Sequence, residues 1–593
     1  MKVNPWLIAV VVSIATFMEV LDTSIANVSL QHIAGSMSAS QDESTWVLTS
    51  YLVANAIILP ISGWLATVIG RKRFYMLCVA IFTVSSLLCG LAPSLGWLIF
   101  FRILQGMGGG GLQPSEQAIL ADTFTAKQRG QAFAVYGVAV VVAPAIGPTL
   151  GGWITDNFSW RWIFFINVPV GIISLLLTWN LLQESAEAVA QRLAMAKRGL
   201  RVDYIGFSLV ALGLGSLQIV LDKGQEDDWL ASGFIALFTV VAIVGLVGAI
   251  FWEFHVEDPI VDLPLLKKFN FAFTNIMMFS IGFILFGTTQ LLPQYTQSLL
   301  GYSATQAGLV ISPGGFAVMA CMPLAGYLVG RVQPKWLITF GMFVEACALF
   351  NMTRFDTQVS YSTLAWARVF QTSGLAFLFV PINTVAYTGL PKGKSNHASA
   401  LINLSRNLGG SIGVSLANTL LFRRSQFHQS NLVSHVARGD IVFRAALDSM
   451  TTMLMRAGLS PGAAHDHAMA VLYANLQRQA EMLSYLDVFK TLGIAAFCMI
   501  GLILFLKKSK PGDVTEAAHC WGIGDGHGGT VGGWWLVCGG AGRDGRPLTL
   551  TLSPCVHGER GFVVGAVYEI SKKAGIEFDG FVTRVWVRGG AGL

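Results

Sequence analysis

The chain has 593 residues, of which 53% are hydrophobic and only 12% charged, and its mean hydropathy is +0.60. Soluble domains carry roughly 25% charged residues, so this composition excludes an ordinary soluble protein and indicates one that crosses a membrane many times. The formal net charge of +6 is explained by Lys and Arg beside anionic lipid, and no nucleic-acid partner is expected.

The first apolar segment, Trp6 to Val28, is long enough to cross a bilayer and contains two carboxylates, Glu19 and Asp22. Charged groups at that depth are costly and usually face a polar interior, where they perform work. Because the two lie three residues apart, they occupy nearby positions on one side of a helix. Two interpretations stay open: one carboxylate binds a proton, or Glu19 recognises cationic substrates while Asp22 orders the outer end of the helix.

Apolar segments of about twenty residues recur as far as Leu506, and we count fourteen of them. Lys and Arg follow the even-numbered segments, for example at residues 71–73 after the second and at Lys127 and Arg129 after the fourth. Short cytoplasmic loops hold the excess of positive charge. Both termini are therefore expected in the cytoplasm.

Two phrases occur twice along the chain. Residues 60–65 (PISGWL) match residues 323–328 (PLAGYL) at an offset of 263, and residues 102–105 (RILQ) match residues 368–371 (RVFQ) at an offset of 266. Such internal repeats are common in secondary transporters, whose halves alternate access around a site near the middle of the membrane.

The repeat predicts the domain organisation. Residues 1–183 and 271–508 are expected to form two six-helix halves, with two linking helices in residues 184–270. The second half contains a long external loop at residues 423–484, which is a candidate docking surface or a cap over the outer vestibule. The tail, residues 509–593, changes composition at about residue 520 and is expected to be unstructured or translated read-through, and dispensable.

Five stretches carry a resemblance to a known family: residues 21–28 (LDTSIANV), 63–73 (GWLATVIGRKR), 101–106 (FRILQG), 143–152 (APAIGPTLGG) and 160–169 (WRWIFFINVP). They resemble the motifs of the major facilitator superfamily and, within it, of the fourteen-helix drug:proton antiporters of the EmrB and QacA type. The resemblance implies an all-α major facilitator fold of two six-helix halves plus two linking helices. It also implies multidrug efflux by alternating access, in a bacterial inner membrane, driven by the proton gradient without a cofactor.

The resemblance associates Arg102 with proton coupling. From the residues alone, a guanidinium at bilayer depth needs a partner, and Asp22 and Glu116 are the carboxylates expected to provide it. Glu19 is the third acidic candidate for proton coupling. The alternative is a static buried pair that only fixes helix packing.

Gating is the role that the resemblance gives to a set of small, proline and basic residues: Gly63, Gly70, Arg71, Pro144, Gly147, Pro148, Gly151 and Gly152. Physics alone equally allows ordinary close packing of helices. Thr67 departs from the family pattern, which commonly has Asp there, so the usual charge-paired latch is in doubt. Isolated charges in the second half, Glu345, Arg368 and Arg406, are further site candidates.

The expected partners are protons, small hydrophobic or cationic compounds and membrane lipid, and the resemblance adds a periplasmic adaptor protein and an outer-membrane channel. No catalytic residues are expected and the protein is not expected to be an enzyme. No metal site is expected either, since residues 465–467 (HDH) have no further ligand cluster nearby. The alternatives are an exporter of one metabolite or siderophore, or a sensor or assembly protein of the same fold that no longer transports.

Overall fold

The computed structural model describes residues 4–183, 189, 192, 203–256, 259–390, 393–434, 436 and 441–503. Within these residues the regular structure is helical, with no β-strand. The expectations for the tail, residues 509–593, lie outside the described residues.

Fourteen long helices follow one another in the described part: α1 (Pro5–Val28), α2 (Gln41–Ile69), α3 (Arg71–Gly90), α4 (Leu95–Thr123), α5 (Ala126–Asn157), α6 (Asn167–Leu181), α7 (Tyr204–Lys223), α8 (Gly233–Glu253), α9 (Phe269–Ser298), α10 (Ala304–Val329), α11 (Pro334–Met352), α12 (Tyr361–Ala386), α13 (Ser395–Ser434) and α14 (Pro461–Ile503). Shorter helices occur at Leu30–Met37, Trp162–Phe165 and Ile441–Arg456, with 3-10 turns at Trp229–Ala231 and Leu263–Lys267.

Local sequence signals set several helix ends. Ser40 and Glu43 form a capping box at the start of α2, and Ser303 and Gln306 form another at the start of α10. Gly70 separates α2 from α3 with a φ of 98°, a conformation that favours glycine because it has no Cβ. This predicted gating residue therefore shapes the turn between the two helices.

Twelve spans in the described part are long and apolar enough to cross a membrane, with α6 counted together with the short helix before it as Trp162–Leu181. The two other long helices, α4 and α13, contain buried charged residues, Arg102 and Glu116 in α4 and Arg406 in α13. Both lie inside the bundle, α4 against α2 and α3, and α13 against α9 and α14. The all-helical multispanning fold is confirmed, and the expected count of fourteen spans is consistent with it.

The helices pack as two groups joined along two seams. α5 packs against α10, and α2 packs against α13, so each seam joins a helix of the first six to a helix of the last six. α7 and α8 pack on each other, and α7 also packs on α2. We call one side of the bundle the basic face. It is the side where α3 begins at Arg71, directly after the end of α2, and where α5 begins near Arg129.

The segment expected as a long loop, residues 423–484, is largely helical where the structure describes it. α13 has 40 residues and α14 has 43, which correspond to about 60 and 64 Å of helix against a hydrocarbon core of roughly 30 Å. Both helices therefore extend well beyond a bilayer, and the helix Ile441–Arg456 packs on α14. Arg424 of α13 donates to Asp487 of α14 at 2.6 Å where the extension begins.

Candidate functional site

A ladder of buried polar contacts joins α1 to α4. The α1 positions Ser13, Thr16, Glu19 and Asp22 are spaced by three residues, so each lies beside the next and the row winds about half a turn around the helix. At about 1.5 Å per residue the ladder covers roughly 13 Å of depth. All four residues predicted for proton coupling take part in it: Glu19 and Asp22 lie on α1, and Arg102 and Glu116 of α4 bind its side chains directly.

Asp22 and Arg102 form a buried ion pair. Arg102 Nη1 donates to Asp22 Oδ2 at 2.6 Å, and the side chains are 0% and 1% exposed. Asp22 Oδ1 accepts from Gln105 Nε2 at 3.0 Å and from Asn167 Nδ2 at 2.7 Å. The carboxylate thus accepts hydrogen bonds from one cation and two neutral amides, which come from α4 and α6.

Arg102 has further partners that hold its guanidinium in place. Its Nε donates to the carbonyl oxygen of Val47 at 3.0 Å, and its Nη1 donates to Gln105 at 2.8 Å. The guanidinium carbon lies 4.3 Å from the centre of the Tyr51 ring, which allows a cation–π contact. Because Asp22 is the carboxylate that pairs with this fixed cation, loss of its charge would leave the buried guanidinium without a counter-charge.

Glu19 lies between α1, α2 and α4, and it is 4% exposed. It accepts from Gln113 Nε2 at 2.5 Å, from Tyr51 at 3.1 Å and from Asn55 at 3.4 Å. The same Gln113 offers its oxygen to Arg406 of α13, in the second half. One amide side chain therefore connects Glu19, the candidate for proton coupling or cation recognition, to a buried cation of the opposite half.

Glu116 binds hydroxyl groups. It accepts from Ser13 at 2.6 Å and from Thr16, both on α1, and it is fully buried. Of the two carboxylates expected as partners of Arg102, the structure thus brings Asp22 to it and holds Glu116 nearer the start of α1.

The glycine and proline residues of α5 sit where other helices approach. A Cβ at Gly147 or Gly151 would meet Ser24 and Ile25 of α1, and one at Gly152 would lie 3.1 Å from Thr305 of α10. Pro144 leaves its carbonyl to accept from Ser24 Oγ at 3.4 Å. Pro148, the fifth predicted gating residue on α5, is buried. These positions permit α5 to pack closely on both its neighbours.

The two copies of the repeated phrase make equivalent contacts near the basic face. A Cβ on Gly63 of α2 would lie 2.9 Å from the carbonyl oxygen of Asn396 in α13. A Cβ on Gly326, its counterpart 263 residues later, would lie 2.9 Å from the carbonyl oxygen of Gly130 in α5. Each seam between the halves therefore closes on a glycine that the repeat already marked.

Polar contacts close the basic face around Arg71. Its Nε donates to Asn396 Oδ1 at 2.8 Å, and its Nη1 pairs with Asp122 at 2.6 Å. Asn396 also donates to Thr67 at 3.3 Å, and Ser395 donates to Asp122 at 2.7 Å. Thr67, the position that departs from the family pattern, thus joins the closure through a neutral hydrogen bond.

The three charges singled out in the second half are all buried but do not meet in one place. Arg406 contacts Gln113 and Tyr136 of the first half, the latter at 3.4 Å. Glu345 and Arg368 lie apart from it, and both bind Gln371, at 2.9 and 2.8 Å. Among the described residues, no group of three or more His, Cys, Asp or Glu side chains is placed to hold a metal ion.

Several site residues lacked a signal of their own in the sequence. Gln105 and Asn167 stood inside motifs without a role, and the structure places both on Asp22. Tyr51, Gln113 and Asn396 lay outside every motif, because uncharged polar residues are common in long membrane helices. Only their position opposite buried charges identifies them.

Comparison with known proteins gives one consistent result. The family model described as Major Facilitator Superfamily matches residues 12–414. The chain is 35% identical over 503 residues to the multidrug export protein EmrB of Escherichia coli K12, covering 84% of this chain and 95% of that protein. It is 36% identical over 495 residues to the fatty acid resistance protein FarB of Neisseria gonorrhoeae, covering 83% and 94%. A structure of the xylose transporter XylE from E. coli superposes with a TM-score of 0.51 at 15% identity, over 85% of this chain and 98% of that one.

Proposed function

Since the chain belongs to the major facilitator superfamily, we propose that it is a multidrug efflux transporter that exchanges protons for hydrophobic, often cationic, compounds by alternating access. Relatives named for multidrug export align along nearly their whole length. The proton gradient supplies the drive, and no cofactor takes part.

The observation that carries this proposal is the buried pair of Asp22 and Arg102. Proton uptake by Asp22 removes its charge and so ends the electrostatic attraction that holds Arg102 Nη1 at 2.6 Å. Arg102 acts as the fixed positive charge of the pair. Binding and release of one proton thereby switch the contact between α1 and α4.

Glu19 is proposed to recognise the positive charge of the substrate. It lies next to the seam between the halves, and Gln113 connects it to Arg406. A cation that binds Glu19 competes with the electrostatic influence of Arg406 on that carboxylate. Substrate binding in the first half thereby changes the electrostatic environment of Arg406 on α13 in the second half.

Closure on one side of the membrane is proposed to use the contacts at the basic face. Arg71, Asp122 and Asn396 link the start of α3, the end of α4 and the start of α13. The glycines at positions 63 and 326 let the helices meet at backbone distance. The small residues of α5, from Pro144 to Gly152, allow α1 and α10 to shift against it as the halves rock.

The proposed location is the bacterial inner membrane, with the basic face and both termini in the cytoplasm, because Lys and Arg favour cytoplasmic loops. The extensions of α13 and α14 then reach into the periplasm. They are the proposed contact surface for a periplasmic adaptor protein, which would pass substrate to an outer-membrane channel.

A second candidate is export of one amphiphilic acid, and a specific relationship favours it. A relative named for fatty acid resistance is 36% identical to this chain, and Arg406 places a buried cation beside the central contacts of the two halves. An anionic substrate would bind Arg406, whereas a cationic one would bind Glu19.

The test is transport by purified protein in liposomes with an imposed pH gradient and a panel of ethidium-type dyes, a fatty acid and a siderophore. Gradient-driven dye movement supports the first candidate, and fatty acid movement without dye movement supports the second. Absence of any gradient-driven movement would contradict both and favour a protein that no longer transports. Exposed Asp466, as Asp466→Asn, is the control for loss of a carboxylate that lies outside the bundle.

A further inference from the structure

Five polar side chains meet inside the second half, between α9, α11 and α12. Gln371 donates through Nε2 to Glu345 Oε1 at 2.9 Å and to Thr288 at 2.8 Å. Arg368 donates to Gln371 Oε1 at 2.8 Å and also to Thr289 at 2.8 Å. Glu345 and Arg368 are 2% and 3% exposed, so the cluster is closed to its surroundings.

This cluster repeats the one around Arg102 with acid and hydroxyl exchanged. In the first half Arg102 donates to Gln105 Oε1 at the same 2.8 Å, and Gln105 Nε2 donates to Asp22 and to Ser86. Thr288 stands 266 residues after Asp22, at the offset of the repeated arginine. The acid of α1 is therefore replaced by a hydroxyl on α9, and the hydroxyl of α3 is replaced by an acid on α11.

The second cluster differs from the first in one respect that bears on proton binding. In the described part of the chain, Arg102 pairs directly with Asp22, whereas Glu345 forms no direct ion pair with Arg368 and its Oε2 has no hydrogen-bond partner. Each arginine leaves one buried nitrogen without a hydrogen-bond partner, Arg102 Nη2 and Arg368 Nε. A buried charge without a matching contact is costly, and a proton on Oε2 removes that charge from the acid.

The helices around Glu345 leave Arg368 as the charged group that faces it. Arg368 comes from α12, and α9 contributes the hydroxyls of Thr288 and Thr289. α14 meets α11 at Gly493, against Leu349 and Phe350. A mobile proton in this cluster is thus exchanged at Glu345.

We propose that Glu345 is a second proton-binding carboxylate, so that each transport cycle moves two protons, one in each half, against one substrate molecule. The inference rests on the proton-coupled export proposed above. Each proton binds a carboxylate oxygen from one side of the membrane and is released to the other, and no covalent bond of the substrate changes.

Two protons exchanged for one monovalent cation move one net charge per cycle, whereas one proton would move none. The experiment uses wild-type protein in liposomes with ethidium at equal concentration inside and outside, no pH gradient, and an inside-negative potassium diffusion potential. A potential of about 60 mV then drives roughly tenfold outward accumulation of dye, because one charge crossing 100 mV is worth about 2.3 kcal/mol. Passive leak of the cationic dye would run inward, so the direction of dye movement separates leak from transport by the protein.

Variants assign the second charge to Glu345. Glu345→Gln is expected to lose the response to potential while it keeps dye movement under a pH gradient, and Asp466→Asn is expected to keep both. Combining Glu345→Gln with Thr288→Asp moves the acid to the position equivalent to Asp22 and is expected to restore the response.

Three results would overturn the inference. Wild-type protein that responds to a pH gradient but not to potential moves one proton per dye. A Glu345→Gln variant with the full wild-type response places the second proton elsewhere. Wild-type protein with no response to a pH gradient contradicts the proposed function itself and this inference with it.

Discussion

Neutralising one member of the Asp22–Arg102 pair should destabilise the fold more than neutralising both. Asp22→Asn preserves the shape of the side chain but leaves Arg102 buried, at 0% exposure, without its counter-charge. Removing one partner of a buried pair costs about 3–5 kcal/mol. In Asp22→Asn combined with Arg102→Gln, amide groups can replace the pair by neutral hydrogen bonds. The double variant should therefore be less destabilised than the sum of the two single variants by about 3 kcal/mol, which is at the upper end of couplings between neighbouring residues.

The assay is a double-mutant cycle on the free energy of unfolding of purified protein in mixed micelles. Arg424 and Asp487 provide the matched control, because they also lie 2.6 Å apart but are 39% and 27% exposed. Surface pairs couple by about 0–1 kcal/mol. A coupling energy for Asp22 and Arg102 no larger than that of the control pair would refute the idea that the buried pair stores the energy of the switch.

Other parts of the site give three further expectations. Glu19→Gln should weaken binding of a cationic dye by about tenfold, since about 1.4 kcal/mol is within the range for a buried charge-assisted contact. Titration of the dye by fluorescence measures this affinity, and an unchanged affinity would remove Glu19 from the substrate site. Gly63→Ala should slow transport, because the added methyl would lie 2.9 Å from the Asn396 carbonyl oxygen. Gly35→Ala, with open space around it, should leave the transport rate unchanged, and equal rates in the two variants would argue against closure at this seam. Arg71→Ala should increase the labelling of a cysteine placed at Ser399 by a thiol reagent added from the basic face, since it removes the contact of Arg71 with Asn396 across the halves and its pairing with Asp122 beside that contact. Unaltered labelling would show that the closure does not depend on Arg71.

The architecture was accessible from sequence because each level left a pattern. Apolar segments of membrane length predicted the helices, and two phrases at offsets of 263 and 266 residues predicted two halves. The external segment at 423–484 was predicted as a loop with helical portions, but α13 and α14 continue through much of it as unbroken helices. The polar composition of this segment did not indicate continuous helices, since a helix outside the bilayer needs no continuous apolar run.

The site was accessible only where charge marked it. Asp22 and Arg102 stood out because ionised groups are rare at bilayer depth, and the structure joins them. Glu116 was equally conspicuous, yet helix spacing gives no information on which buried charges meet, and it binds Ser13 and Thr16 instead. Uncharged partners such as Asn167 and Asn396 required the tertiary structure, because their roles depend on which helices become neighbours.

The most direct test of the central claim compares exchange with coupled transport in Asp22→Asn. Liposomes containing the variant are loaded with dye, and labelled dye exchange without a gradient is measured beside dye movement under a pH gradient. The account predicts that exchange persists, because substrate binds at Glu19, while gradient-driven accumulation is lost. Accumulation at the wild-type level in Asp22→Asn would contradict proton coupling through this carboxylate.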